Sequence, residues 1–414
     1  MVATPNKERA AARTPMGQAA HHGPSREPVP KRCVVVGASA RAFVESAARA
    51  GWAAHATDLF ADADLIASAT EVVRLGVPGG PAYPQGIPDV VASFPDAVCV
   101  YTGALENHPD VIAALARTRP LAGCSAAAVR RVRDPWEVAA VVRGAGLRFP
   151  ETHAAPDGLP TDGSYLVKPR RSAGGRGVRP WHGALRDSAA SGLLWQRVVP
   201  GVSRSASYVA RAGTARLVGS SLALTAADWC GGRTFAYCGS IDVPLDRLPD
   251  GLRRSCERLG TAIAAAFDLT GLFGIDLIED AAGALQVLEV NPRPTASLEL
   301  VERATGWSLA AAHLAAGGWG AEPGGGAATD GIWAKAIAFT PPAATAAAVT
   351  AAVAELAERW TAADGLPAVA DVPHSDEPPT PGAPLITVFA RGDTAAQAVA
   401  TLRDRVRELR RSIA

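Results

Sequence analysis

Two apolar runs that carry acids within them constrain this chain most. They are Leu272-Phe273-Gly274-Ile275-Asp276-Leu277-Ile278 and Leu285-Gln286-Val287-Leu288-Glu289-Val290-Asn291, joined by the polar stretch Glu279–Ala284 with its Gly283. Alternation around a short glycine-containing turn predicts a β-hairpin. Positions 276 and 289 are equidistant from the point between Ala282 and Gly283, so a hairpin centred there sets Asp276 across from Glu289. The period of two then puts Glu289 and Asn291 on one face. Acids on a wet strand face are the ordinary reading of any one of them. Here they sit among Leu, Ile, Val and Phe and run on into Asn291-Pro292-Arg293-Pro294. Opposed carboxylates repel unless a positive charge offsets them. A hard cation such as Mg²⁺ or Mn²⁺ does so through oxygen ligands, and Asp276, Glu289 and Asn291 are the candidates.

A second signal comes from what the chain lacks. Lys and Arg together number 41, yet only Lys7, Lys31, Lys168 and Lys335 are lysines, and Asn6, Asn107 and Asn291 are the asparagines. A lysine in an ordered segment is therefore informative. Lys168 closes the apolar run Tyr165–Val167 and opens Pro169-Arg170-Arg171-Ser172-Ala173-Gly174-Gly175-Arg176-Gly177. Glycines let backbone amides approach phosphate oxygens, and the basic side chains add charge. Without the lysine, a mobile surface hairpin explains the loop equally well. It is not a P-loop, since no GK[ST] opens a helix. Near the amino terminus, Gly37-Ala38-Ser39-Ala40-Arg41-Ala42 carries only the first glycine of a dinucleotide-binding turn, which argues against nicotinamide or flavin.

Around these motifs the chain reads as several layers. Residues 1–30 lack apolar periodicity and predict a disordered tail. Strands at Cys33–Val36, Ala54–Thr57 and Val98–Tyr101 alternate with helices, implying a parallel α/β domain over 31–125. A second domain, 126–317, opens with a helix over Ser125–Ala145. It continues through β-rich sequence to a helix at Leu252–Phe267 and the hairpin. A Gly/Ala-rich linker, 318–331, precedes a small α+β module at 332–414. The fold class is thus mixed α/β and α+β, without an internal repeat.

The formal net charge of +1 provides no field for nucleic acid or an anionic membrane. No apolar run approaches the roughly 20 residues of a membrane span. Six scattered cysteines without a CxxC suit a reducing, cytoplasmic setting. There is no HExxH, so metal chemistry is expected to use oxygen ligands.

At these residues the chain resembles the ATP-grasp superfamily of ligases, over about residues 33 to 317, with the terminal module similar to that of biotin carboxylase-like members. The resemblance implies an ATP-grasp fold behind an N-terminal α/β layer, with ATP and Mg²⁺ as cofactors. It assigns nucleotide-phosphate contacts to Lys168 and to the loop with Ser172, Gly174, Gly175 and Gly177. Trp195-Gln196-Arg197-Val198-Val199-Pro200-Gly201 looks like the adenine-binding linker, Gln196 and Val198 framing the adenine mainly through backbone groups. Asp276, Glu289 and Asn291 match the metal ligands, and Arg293 matches the arginine that meets the reacting carboxylate. Two departures stand out. The early nucleotide-binding lysine of many relatives is replaced by arginines, Arg131 and Arg133 being the candidates. No ribose-binding Glu is evident near Val202–Ser205.

The implied reaction is an ATP-dependent joining of a small carboxylate to an amine through an acyl phosphate, releasing ADP and phosphate. Arg293 and Lys168 are its catalytic residues, and a homo-oligomer is compatible with it. Tyr101–Pro109 and Val129–Pro135 also look like ligases of one-carbon cofactor biosynthesis, of the methanofuran and tetrahydromethanopterin kind, and Arg293 with the arginine-rich surroundings of the loop suits a small amino-acid carboxylate such as glutamate. Glu106 and Asn107, at a strand's carboxyl end, are expected to line the acceptor pocket. The rivals are a biotin carboxylase-like enzyme forming carboxyphosphate and a non-catalytic ATP-binding regulatory protein.

Overall fold

Short buried strands set the topology of the amino-terminal layer. β1 (Arg32–Val36), β2 (Ala53–Asp58), β3 (Glu71–Arg74), β4 (Val98–Tyr101) and β5 (Leu121–Ala122) pair in parallel in the order β3-β2-β1-β4-β5. The chain runs outward from β1 to β3 and returns on the other side of β1. This makes a topological switch point between β1 and β4, where open α/β sheets bind ligands. The computed structural model describes Met1 and residues 31–184, 191–326, 328–360, 366–373 and 379–414. The expected disordered tail lies outside the described residues.

The helix expected over 125–145 is two helices, Ala126–Val132 and Pro135–Gly144. Arg133 closes the first and Asp134 caps the second, its side chain accepting from the Trp136 and Glu137 amides. A residue before proline is pushed out of helical geometry, while proline suits the first turn of a new helix.

A four-stranded sheet follows in the order β6-β9-β7-β8, from β6 (Thr152–His153), β7 (Tyr165–Pro169), β8 (Arg179–Pro180) and β9 (Leu193–Arg197). The remaining strands are β10 (Val202–Arg211), β11 (Thr214–Thr225), β12 (Tyr237–Asp242), β13 (Gly271–Glu279), β14 (Leu285–Asn291), β15 (Ile332–Phe339), β16 (Val369–Ala370) and β17 (Pro384–Gly392). They form one eight-stranded sheet, ordered β14-β13-β10-β11-β12-β15-β17-β16. The helix Asp250–Phe267 buries Cys256, Leu259, Ile263 and Phe267 in the same core as Tyr208, Phe273 and Ile275.

The hairpin has a feature that simple counting does not show. At its turn end Glu279 pairs with Leu285, one residue out of the expected register; beyond it, Asp276 pairs with Glu289 as expected. A β-bulge absorbs the difference by leaving Leu288 without a partner. Leu285, Val287 and Val290 therefore all reach the core, and Glu289 and Asn291 both face away from it.

Buried ionic groups tie the layers together. Arg41 pairs with Glu299 and Asp371, and Lys335 pairs with Glu299 at 2.6 Å. Burial pushes the Glu299 carboxyl up, but Arg41 and Lys335 hold it well below the usual range.

His313 makes a neutral bridge. Its Nδ1 accepts from the Leu272 amide at 2.9 Å, so Nε2 carries the proton shared with the Ala122 carbonyl at 3.1 Å. Burial pulls its pKa down to about 4. The unfolded chain, near 6.5, takes up the proton first as pH falls. The resulting stability is whole above about pH 6.5 and is lost down to about pH 4, amounting to roughly 3 kcal/mol. Melting curves of the protein and of His313→Gln from pH 7.5 to 4.5 should converge on acidification. A constant gap between them would refute this account.

Candidate active site

On the face of the hairpin turned from the core, Asn291 Nδ2 donates to Asp276 Oδ2 at 3.0 Å. That bond leaves the amide oxygen, the atom a cation would use, outside it. Burial and the facing Glu289 charge raise the Asp276 pKa to about 6. Desolvation also pushes Glu289 up, but Arg133, Lys168 and Arg293 outweigh it and hold the carboxyl below its usual value. The two opposed carboxyls are thus pushed in opposite directions, Asp276 up by burial and its neighbour's charge and Glu289 down by the surrounding cations, a pairing that a bound cation would relieve. Among the described residues, no three His, Cys, Asp or Glu side chains are grouped to hold a metal. A cation here would rest on two carboxylates and one amide, an oxygen set fit for Mg²⁺ or Mn²⁺.

Three basic side chains converge on this face. Arg133 Nη1 stands 3.5 Å from Glu289 Oε2 and 3.4 Å from the Val290 carbonyl. Lys168, on β7, donates to Gln196 Oε1 at 3.1 Å, and Gln196 in turn donates to Thr152 Oγ1 at 3.3 Å. Arg293 sits in a buried pair with Glu106, its Nε at 3.0 Å and Nη2 at 2.9 Å from Oε1.

The glycine-rich loop leaves β7 and folds against the segment before β12. Gly174 accepts from the Tyr237 amide at 3.3 Å. Gly175 has a φ of +76°, and an added Cβ would come within 1.8 Å of the Phe235 carbonyl oxygen, so only glycine fits there. Gly177 also has a positive φ, and Ser172 Oγ donates to the Arg176 carbonyl at 2.6 Å.

Some expected residues are placed differently. Arg131 points away from the hairpin, with Nε 3.1 Å from Glu137 and its guanidinium over the Phe267 ring. Residues two apart at a helix end face different directions, so Arg131 and Arg133 do not share a site. The Val198 amide already donates to the Ser164 carbonyl at 2.9 Å, which leaves its carbonyl for a ligand. Val198 also lines an open cavity of about 710 Å³ with Phe149, Arg197 and Asp280, and none of Lys168, Asp276, Glu289 or Arg293 lines it. Glu106 and Asn107, expected to line a pocket, are instead sealed side chains, Glu106 on Arg293 and Asn107 on the Ser172 carbonyl at 3.3 Å. Lys335 shares the scarcity that marks Lys168, and that signal alone singles out a second ordered lysine.

Residues 132–297 match the family model described as the ATP-grasp domain. The stretch begins beside Arg133 and ends just after Arg293, taking in the whole cluster. Residues 132–297 are an ATP-grasp domain. No curated protein matches the chain in sequence. Solved structures extend the likeness beyond the ATP-grasp domain to nearly the whole chain. Carboxyaminoimidazole ribonucleotide synthase from Aspergillus clavatus, complexed with ATP, aligns at 15% identity and a TM-score of 0.67, covering 93% of this chain and 99% of that one. The biotin carboxylase domain of Hydrogenobacter thermophilus 2-oxoglutarate carboxylase, in complex with MgADP and bicarbonate, aligns at 13% and 0.65, covering 91% and 89%. N5-carboxyaminoimidazole synthetase from Staphylococcus aureus, complexed with ADP, aligns at 14% and 0.65, covering 91% and 97%. At such identities the likeness is one of fold: the ATP-grasp domain here lies between an amino-terminal parallel sheet and carboxyl-terminal strands, as part of an ATP-grasp fold.

Proposed function

We propose that this chain is an ATP-dependent carbon–nitrogen ligase that activates a carboxylate as an acyl phosphate and releases ADP. The observation that carries the reading is the Asp276–Glu289–Asn291 face set among Lys168, Arg133 and Arg293. Bound Mg²⁺ or Mn²⁺ on that face would neutralise phosphate charge. Lys168 and the amides of the loop at Ser172, Gly174, Gly175 and Gly177 hold the phosphates of ATP in line, with Arg133 beside Glu289 as a further phosphate contact. Gln196 and the Val198 carbonyl border the adenine. A substrate carboxylate attacks the γ-phosphorus, ADP leaves, and Arg293 steadies the acyl phosphate. An amine then displaces phosphate to give the amide. In this reading the segments 31–125 and 332–414 flank a nucleotide-binding segment, 126–317, and the acid is a small amino acid, glutamate in cofactor biosynthesis being the first choice.

The neighbouring carboxylase structure with bicarbonate favours a second reading, in which bicarbonate is the acid and carboxyphosphate the intermediate. One experiment separates the two. Enzyme, Mg·ATP, hydroxylamine and glutamate or pooled amino acids should yield a hydroxamate together with ADP. Bicarbonate-dependent ADP release with no hydroxamate from any amino acid would overturn the first reading in favour of the second. Release of AMP and pyrophosphate would overturn both.

A further inference from the structure

The turn Leu105–Asn107, directly after β4, touches two parts of the candidate site at once. Glu106 binds the Arg293 guanidinium through Oε1. The next residue, Asn107, donates from Nδ2 to the Ser172 carbonyl of the glycine-rich loop at 3.3 Å. From β4 itself, the Tyr101 hydroxyl donates to the Pro292 carbonyl at 2.8 Å, gripping the backbone next to Arg293. The contacts to Arg293 and to the loop are made by adjacent residues of one three-residue 3₁₀ turn, which joins the two parts of the site through a single short segment.

This turn is not shaped for its own stability. Ala104, which leads into it, is held at a φ of +70°, a conformation that residues with a Cβ seldom adopt. Glu106 Oε2 and Asn107 Oδ1 are both buried without a hydrogen-bond partner. Unpaired buried acceptors and left-handed alanines persist where the surroundings hold them for another purpose.

We propose that Glu106 is the positioning residue for Arg293, and that Asn107 makes this position depend on closure of loop 170–178; both roles rest on the ligase reading. The arginine is then presented to the reacting carboxylate only when the loop covers the phosphates. An acyl phosphate made under an open loop would be lost to water, and the coupling prevents that.

Three measurements test this. Glu106→Gln should bind a non-hydrolysable ATP analogue with Mg²⁺ like the parent, by calorimetry. Its kcat for phosphate release, with pooled amino acids or bicarbonate, should fall at least about thirtyfold while KM for ATP changes less than about threefold. Glu106→Asp should recover part of kcat. Asn107→Ala should lose the protection that the Mg·ATP analogue gives Arg170, Arg171 and Arg176 against trypsin, and should split more ATP per hydroxamate formed. Parent-like kcat in Glu106→Gln, or parent-like protection and coupling in Asn107→Ala, overturns the proposal. A parent enzyme that never turns over ATP overturns the ligase reading instead, and the trypsin comparison still decides the latch.

Discussion

Glu289→Gln should abolish ATP turnover and leave the fold intact. Glu289 is the carboxylate that three cations hold below its usual pKa, so it is the firmer of the two negative charges, whereas burial and the facing charge raise Asp276. The amide is nearly isosteric and remains opposite Asp276, so the hairpin keeps its pairing. It no longer offers an anionic ligand, and Arg133, Lys168 and Arg293 lose their shared counter-charge. Losses of about a thousandfold are usual when a group that stabilises developing charge is removed. Phosphate-release assays beside circular dichroism and a melting curve check both halves. Activity near the parent's would remove the metal assignment.

Lys168→Ala should weaken ATP binding and slow phosphoryl transfer by about a hundredfold or more. The ammonium is tied to Gln196 at 3.1 Å and adds to the field that lowers the Glu289 pKa, so its loss would remove the proposed phosphate contact and perturb the carboxylate pair. Lys168→Arg should recover only part of the loss. A forked guanidinium does not replace a compact ammonium, and its reach from β7 differs. Calorimetry in the inactive Glu289→Gln background separates binding from chemistry. Unchanged ATP affinity in Lys168→Ala would move the phosphate site, with Arg133 as the next candidate.

The hairpin is readable because two kinds of information coincide there: an alternating apolar pattern fixes the strands, and acids interrupt it. The bulge is not, since Leu288 is as apolar as its neighbours and nothing in the string marks it as the extra residue. Counting reaches the right partner for Asp276 from a turn centre half a residue off. Lys168 is readable through scarcity, and the arginines are not. Arg131 and Arg133 look alike in sequence, and only the helix end at Val132 decides which one meets Glu289. The Glu106–Arg293 pair spans 187 positions, and local pattern has no purchase on such a contact. Strand β3 leaves no trace because charged Glu71 and Arg74 bracket its two valines, unlike the unbroken apolar run of the equally short β4, and β5 has only two residues. The break at Asp134-Pro135 is in plain view, and helical periodicity on both sides conceals it.

The eight-stranded sheet limits how this protein can be divided. The Gly/Ala-rich stretch 318–331 looks like a natural place to cut, yet β15 beyond it hydrogen-bonds to β12 before it, from Gly239–Ala336 to Ile241–Ala334. Ending the chain there would turn an interior strand into an edge, uncovering its ladder and the buried Cys238, and would leave Glu299 without Lys335. Exposed strand edges recruit other chains. A fragment trimmed to residues 126–317 would therefore self-associate, and the piece to express for any of these assays includes the whole body from Lys31 to Ala414.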